Sequence, residues 1–171
     1  LVLEVSILLE IYAVKFVNKI KDSKFDRLIK YLPKEKQDRI KRFLKWQDAH
    51  RTLIADVLVR TLVCGKLGIR NSEISFDKSE YGKPFLKSVP NFHFNVSHSG
   101  EWVVCAVDSL PVGIDVETIA PIKFNIARRF FSDEEYKDLM MEDEAERLSY
   151  FYDLWTLKES YIKAEGRGLF L

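Results

Sequence analysis

Trp155 to Leu171 read WTLKESYIKAEGRGLFL, and Gly113 to Glu117 read GIDVE. The first stretch has helical periodicity, with a stop signalled at Gly166 and Gly168. Glu159 and Lys163 stand four apart and so share one helix face. Alone, such a pair is an exposed salt bridge worth a few tenths of a kcal/mol. Trp155 lies one further step back on the same stripe, which favours a working face over an idle one. In GIDVE the alternation predicts a strand, which puts Asp115 and Glu117 on the same face. Two carboxylates side by side repel. They fit either a solvent-facing strand edge or a hard cation such as Mg²⁺, which takes one or two carboxylates with phosphate oxygens and water.

The remaining elements are legible around these two. A strand is expected over Ile11 to Phe16. The polar segment Phe25 to His50 reads as helical, with Pro33 at a helix start. Ala49 to Gly68 carries Leu53, Val57, Leu58 and Leu62 in a mostly 3.6-residue stripe, the mark of a packed helix. A strand from Ile74 leads to a turn at Tyr81-Gly82-Lys83-Pro84. Phe92 to Asp108 and Val112 to Thr118 read as strands, and Ser132 to Glu165 as a second helical block of two helices. In both halves a polar helix leads into a buried one, PKEKQDRIKRF before DAHRTLIADVLVR and SDEEYKDLMM before YDLWTLKESYIKAEG. That shared grammar fits either an internal repeat or two unrelated helical pairs.

Aromatic residues make up 13% of the chain, which argues against disorder. Residues 1–60 hold 14 Lys and Arg against 8 Asp and Glu, whereas residues 115–171 hold 8 against 13. A basic front and an acidic back suit an anionic ligand on one half and a cation on the other, or two solvated helix faces. The basic run Lys34 to Phe43 is interleaved with Glu35 and Asp38, and the net charge is only +1, so nucleic acid is not expected as a partner. No apolar run has the length of a membrane span, and no membrane association is expected. Leu1 to Phe16 is apolar but broken by Glu4 and Glu10 and has no basic leader, so it is not read as a signal peptide. Cys64 and Cys105 lie in apolar runs without a C-x-x-C pattern, which points to reduced thiols in a cytoplasmic protein. Ser97 and His98 follow an apolar strand. Neighbours on a strand face opposite ways, so they form no dyad, and they read as an ordinary turn or an anion site.

Taken together, EYGKP, FNVSHS, GIDVE and WTLKESYIKAEGRG resemble the signature of 4′-phosphopantetheinyl transferases of the surfactin-synthetase-activating type. The pattern G-[IV]-D-[IV]-E…W-x-x-K-E-[AS]-x-x-K is matched in full by Gly113 to Glu117 and Trp155 to Lys163, and the likeness runs from about Ile11 to Leu169. The resemblance implies an α+β fold of two similar lobes related by a pseudo-twofold, with the ligand in the cleft between them. It implies transfer of the phosphopantetheine arm of coenzyme A to a serine of an acyl or peptidyl carrier-protein domain, with Mg²⁺ required and adenosine 3′,5′-bisphosphate released. Such carriers belong to non-ribosomal peptide, polyketide or fatty-acid synthases, the setting of antibiotic biosynthesis, and enzymes of this type act as monomers.

By the same resemblance, Asp115, Glu117 and Glu159 are the metal carboxylates and Glu159 and Lys163 the catalytic pair. Lys163 falls at the coenzyme A pyrophosphate, and Lys36, Arg39, Arg51, Ser97 and His98 fall at coenzyme A positions. Tyr81, Lys83 and Pro84 match the turn on the adenine side, and Asn125 to Tyr136 lies where the family meets the carrier protein. The lobes are expected at 11–112 (coenzyme A side) and 113–171 (metal and catalytic helix), with residues 1–10 an extra segment. Relatives of this type continue past the last helix. The second lobe is therefore expected to be incomplete and the chain truncated, with weak or no activity. The alternative is a non-catalytic remnant that at most binds coenzyme A.

Overall fold

The fold is built on a long helix lying across an antiparallel sheet, seen in a computed structural model that describes residues 8–168. The sheet has three strands in the order β1-β5-β4: β1 Glu10–Lys15, β4 His93–Ser99 and β5 Trp102–Asp108. Glu10 pairs with Val107 and Lys15 with Trp102, while His93 pairs with Asp108 and Ser99 with Trp102. A separate small ribbon pairs β2, Phe76–Lys78, with β3, Pro84–Leu86. Its connecting turn carries Gly82 at φ 85°, as the turn motif in the sequence predicts.

Among the described residues three α-helices and a 3₁₀ turn, Asn71–Glu73, precede the ribbon. The α-helices are α1, Asp22–Ile29, α2, Lys34–Lys41, and α3, Trp46–Leu67. Pro33 stands at the N-cap of α2, where its missing N–H costs nothing. Ile29, Leu32, Ile40, Ala49 and Leu53 bury themselves where α1 and α2 meet the first half of α3. The second half of α3 sends Val59 and Val63 into a larger core with Phe94, Cys105 and Val107 of the sheet, joined by Ile74, Leu86 and Phe92. Burial of this kind pushes the Cys105 thiol up to about 12, so it stays protonated and inert.

The second block contains a single 3₁₀ turn at Phe124–Ile126, then α4, Ala127–Phe130, α5, Asp133–Met141, and α6, Arg147–Glu165. Ser132 caps α5 in a reciprocal box with Glu135: the Glu135 amide donates to Ser132 Oγ at 3.2 Å, and the Ser132 amide donates to Glu135 Oε2 at 2.7 Å. Ala127, Phe131, Leu139 and Phe151 form a third core, against which Trp155 stacks on Phe151. Both long helices, α3 and α6, end on a glycine in the left-handed region, Gly68 and Gly166.

Two expectations need correction. The expected first strand is present but starts at Glu10, so residue 10 belongs to the sheet rather than to a preceding segment; residues 1–7 and 169–171 lie outside the described residues. The expected strand Val112 to Thr118 is absent as a hydrogen-bonded element. The segment is held instead by side chains of β4 and by close packing against α6. A Cβ placed on Gly113 would stand 1.9 Å from the Ser160 carbonyl oxygen and 2.5 Å from the Ala164 nitrogen. The GIDVE segment therefore touches the backbone of α6 directly, and α6 lies beside the sheet at that point.

Three substitutions test this packing. Leu53→Ala empties a fully buried site and should lower unfolding free energy by about 2–5 kcal/mol in urea melts. Gly113→Ala meets helix backbone that cannot rotate away, and should cost at least ~1–3 kcal/mol in the same assay. Gly65→Ala, in α3 with open space around it, should instead stabilise by about 0.5–1 kcal/mol. Equal effects of the two glycine substitutions would refute the close approach.

Candidate functional site

The face of β4 opposite α3 carries Asn95, Ser97 and Ser99, two residues apart and therefore side by side. Asn95 and Ser97 are buried, which is unusual for polar side chains unless they are bonded. Each one reaches the 113–118 segment. Asn95 Oδ1 accepts the Ile114 amide at 2.9 Å, and Ser97 Oγ donates to Asp115 Oδ1 at 2.8 Å. Ser99 Oγ donates to Glu117 Oε2 at 3.0 Å and accepts the Thr118 amide at 3.0 Å.

From the opposite side α6 supplies Lys163. Its Nζ donates to Asp115 Oδ1 at 2.5 Å and to Ser97 Oγ at 3.2 Å. The Asp115 side chain is only 3% exposed, against 27% for Lys163. Asp115 Oδ2 is buried and has no protein partner. A carboxylate oxygen in that state is costly to leave unpaired. The sequence-predicted residues Ser97, Asp115 and Lys163, from three separated parts of the chain, thus form one polar cluster.

The other expected residues are distributed around it. Glu117 is exposed beside Ser99, and Glu159 is half-buried on α6, one turn before Lys163. The expected three-carboxylate cage of Asp115, Glu117 and Glu159 is not assembled: among the described residues no three carboxylate, imidazole or thiol groups gather closely enough to enclose a metal. The physical reason lies in the partners. Asp115 is turned towards the Lys163 ammonium, and Glu117 is held by Ser99.

The basic residues expected on an anion are engaged within the protein. Arg51 donates to the Gly100 carbonyl at 2.8 Å and to Asp48 Oδ1 at 2.5 Å, tying the start of α3 to the β4–β5 turn. Lys36 pairs with Asp56 across α2 and α3, and Arg39 is exposed on the last turn of α2. Lys83 donates to the Ala164 carbonyl at 2.8 Å and to the Val112 carbonyl at 3.1 Å. Burial holds its ammonium below the ordinary lysine value. It thereby binds the β2–β3 turn both to the end of α6 and to the entry of the GIDVE segment. His98 is exposed on the other face of β4. Partial loss of hydration, with Arg51 and Lys163 nearby, holds its imidazole below the ordinary value.

Two cavities flank the cluster. One of about 410 Å³ is lined by Tyr81, Lys83, Pro84, His93, Pro111 and the end of α6. The other, about 440 Å³, is lined by Glu117, Ile122, Asn125, Ile126, Tyr152 and Trp155. Asn125 to Tyr136 spans the 3₁₀ turn, α4 and the start of α5, so its first residues border this second cavity. Sequence alone gives Asn95 no role, and Ser99 reads with Ser97 as an ordinary turn or an anion site. The available signal is the N-x-S-x-S alternation, which puts three short polar side chains on one face of a strand whose other face carries Phe94 and Val96.

Among the described residues, no helix is long and apolar enough to cross a membrane. A family model described as the N-terminal part of 4′-phosphopantetheinyl transferase matches residues 19–110. A second, for the 4′-phosphopantetheinyl transferase superfamily, matches residues 111–171. The chain is 45% identical over 163 residues to 4′-phosphopantetheinyl transferase Sfp of Bacillus subtilis (strain 168), covering 95% of this chain and 73% of that protein. It is 43% identical to 4′-phosphopantetheinyl transferase gsp of Aneurinibacillus migulanus, over 96% of this chain and 68% of that one. The human L-aminoadipate-semialdehyde dehydrogenase-phosphopantetheinyl transferase is 35% identical, over 82% of this chain and 50% of its own length. With the GIDVE segment and its partner helix meeting at Asp115 and Lys163, and with family models matching from residue 19 to the end of the sequence, the chain belongs to the 4′-phosphopantetheinyl transferase family.

Proposed function

We propose that this chain transfers the 4′-phosphopantetheine arm of coenzyme A to the serine hydroxyl of an acyl or peptidyl carrier-protein domain, releasing adenosine 3′,5′-bisphosphate. The observation that carries the reading is the union of Asp115, Ser97 and Lys163 in one cluster, with Asp115 Oδ2 buried and unpartnered. An orphaned carboxylate oxygen beside a second carboxylate on the same segment fits a hard cation, which needs only one or two such ligands. Asp115 and Glu117 would hold Mg²⁺, which when bound supplies positive charge against pyrophosphate oxygens, while Glu159 stands outside the set that the described residues bring together.

The rest falls to the chain's own side chains. Lys163, on the same helix as Glu159, places an ammonium where charge grows on the leaving bisphosphate. The acceptor serine is a weak nucleophile at neutral pH, and Glu159 is the base that takes its proton, directly or through a water. The cavity by Tyr81, Lys83 and Pro84 suits the adenine end of the cofactor, and Lys36, Arg39, Arg51, Ser97 and His98 lie on the coenzyme A side. The cavity by Glu117, Asn125 and Trp155 suits the arm and the incoming carrier. Two lobes, 11–112 and 113–171, supported by family matches that divide between residues 110 and 111, frame these sites. The enzyme is read as a cytoplasmic monomer.

Carrier-protein modification, followed by mass spectrometry with coenzyme A and Mg²⁺, is the direct test. Coenzyme A binding without any transfer would overturn the reading in favour of a binding-only remnant. Glu159→Gln should lower transfer roughly 10²-fold or more while leaving coenzyme A affinity largely intact. Lys163→Met should behave differently, because it also strips the buried Asp115 of its cation: transfer falls, and unfolding free energy drops by about 1–3 kcal/mol. Unchanged turnover in the Glu159 variant would remove that residue from its role.

A further inference from the structure

Among the described residues, no strand pairs with the segment bearing Asp115 and Glu117. Its position is set by a comb of three side chains from one face of β4, at residues 95, 97 and 99. Ser97 belongs to the site already described. Asn95 and Ser99 do not touch the proposed reacting groups in the same way, yet they secure the segment on both sides of Asp115. Asn95 fixes the Ile114 amide, one residue before Asp115. Ser99 acts twice with one oxygen, accepting the Thr118 amide and donating to Glu117 Oε2. The same end is closed by the β4–β5 turn, where a Cβ on Gly100 would stand 2.5 Å from Thr118 Oγ1, and Arg51 holds the Gly100 carbonyl.

We propose that Asn95 and Ser99 are positioning residues for the carboxylate pair: they set the register of residues 114–118 on β4, and Ser99 also orients Glu117. The inference rests on the reading of Asp115 and Glu117 as cation ligands. Its physical logic is that a free, exposed glutamate samples many rotamers, and a single hydroxyl bonded to both its carboxylate and the next amide removes most of them. Loss of a partner of this kind, one step removed from the cation, typically weakens metal affinity by about 10- to 100-fold.

The test is Mn²⁺ binding in the presence of coenzyme A, read from the electron paramagnetic resonance of free Mn²⁺. Ser99→Ala should weaken Mn²⁺ binding roughly 10-fold or more. Ser99→Thr keeps the hydroxyl and should retain wild-type affinity, and coenzyme A affinity without metal should be unchanged in both. Equal Mn²⁺ affinity in the alanine variant and the wild type overturns the inference. A second measurement needs no variant. In the wild-type chain the Ile114 and Thr118 amides should resist hydrogen exchange, whereas exchange at free-peptide rates at both positions overturns the comb. A wild-type chain that binds coenzyme A but no Mn²⁺ overturns the cation reading itself, and amide protection at Ile114 and Thr118 then decides the register on its own.

Discussion

The approach of Gly113 to the backbone of α6 is the constraint on which the site depends. Only a residue without a side chain lets the 113–118 segment lie against Ser160 and Ala164. That contact is what brings Asp115 within 2.5 Å of Lys163, one residue before Ala164 on the helix. It also explains the placement of Lys83. One ammonium donates to the carbonyl just before Gly113 and to the carbonyl of Ala164, so the β2–β3 turn locks both sides of the close contact.

The cluster itself is an economical use of few polar groups. Burying Asp115 to 3% exposure is tolerable because Lys163 and Ser97 both donate to one of its oxygens. The second oxygen is left over. Arg51, Lys36 and Lys83 are likewise bonded within the protein, to the β4–β5 turn, to α3 and to the end of α6, so each ties two elements together.

Much of this was legible before the fold was known. The helical spacing of Leu53, Val57, Leu58 and Leu62 foretold α3, and the Tyr81 to Pro84 turn joins β2 to β3 as expected. Asp115, Ser97 and Lys163 were singled out from motif alone and do converge. Two readings failed for identifiable reasons. Alternating residues in GIDVE mimic a strand, but among the described residues the segment is bonded to a row of β4 side chains and not to a strand backbone. The three-carboxylate arrangement is what the family resemblance implies, and the described residues do not gather it, because Asp115 is bonded to Lys163 and Glu117 to Ser99.

The sequence by itself determined the elements and the chemistry on offer: a carboxylate pair two residues apart, a glutamate and a lysine four apart, and two turns marked by glycine and proline. These are local properties, fixed by helix and strand periods and by backbone sterics. Only the tertiary structure decided which oxygen of Asp115 is spent and which is spare, that Lys83 serves as a brace, and that Asn95 and Ser99 carry the segment. Those outcomes depend on distances between residues far apart in the chain, set where two helices and a sheet pack together, and no local pattern encodes them.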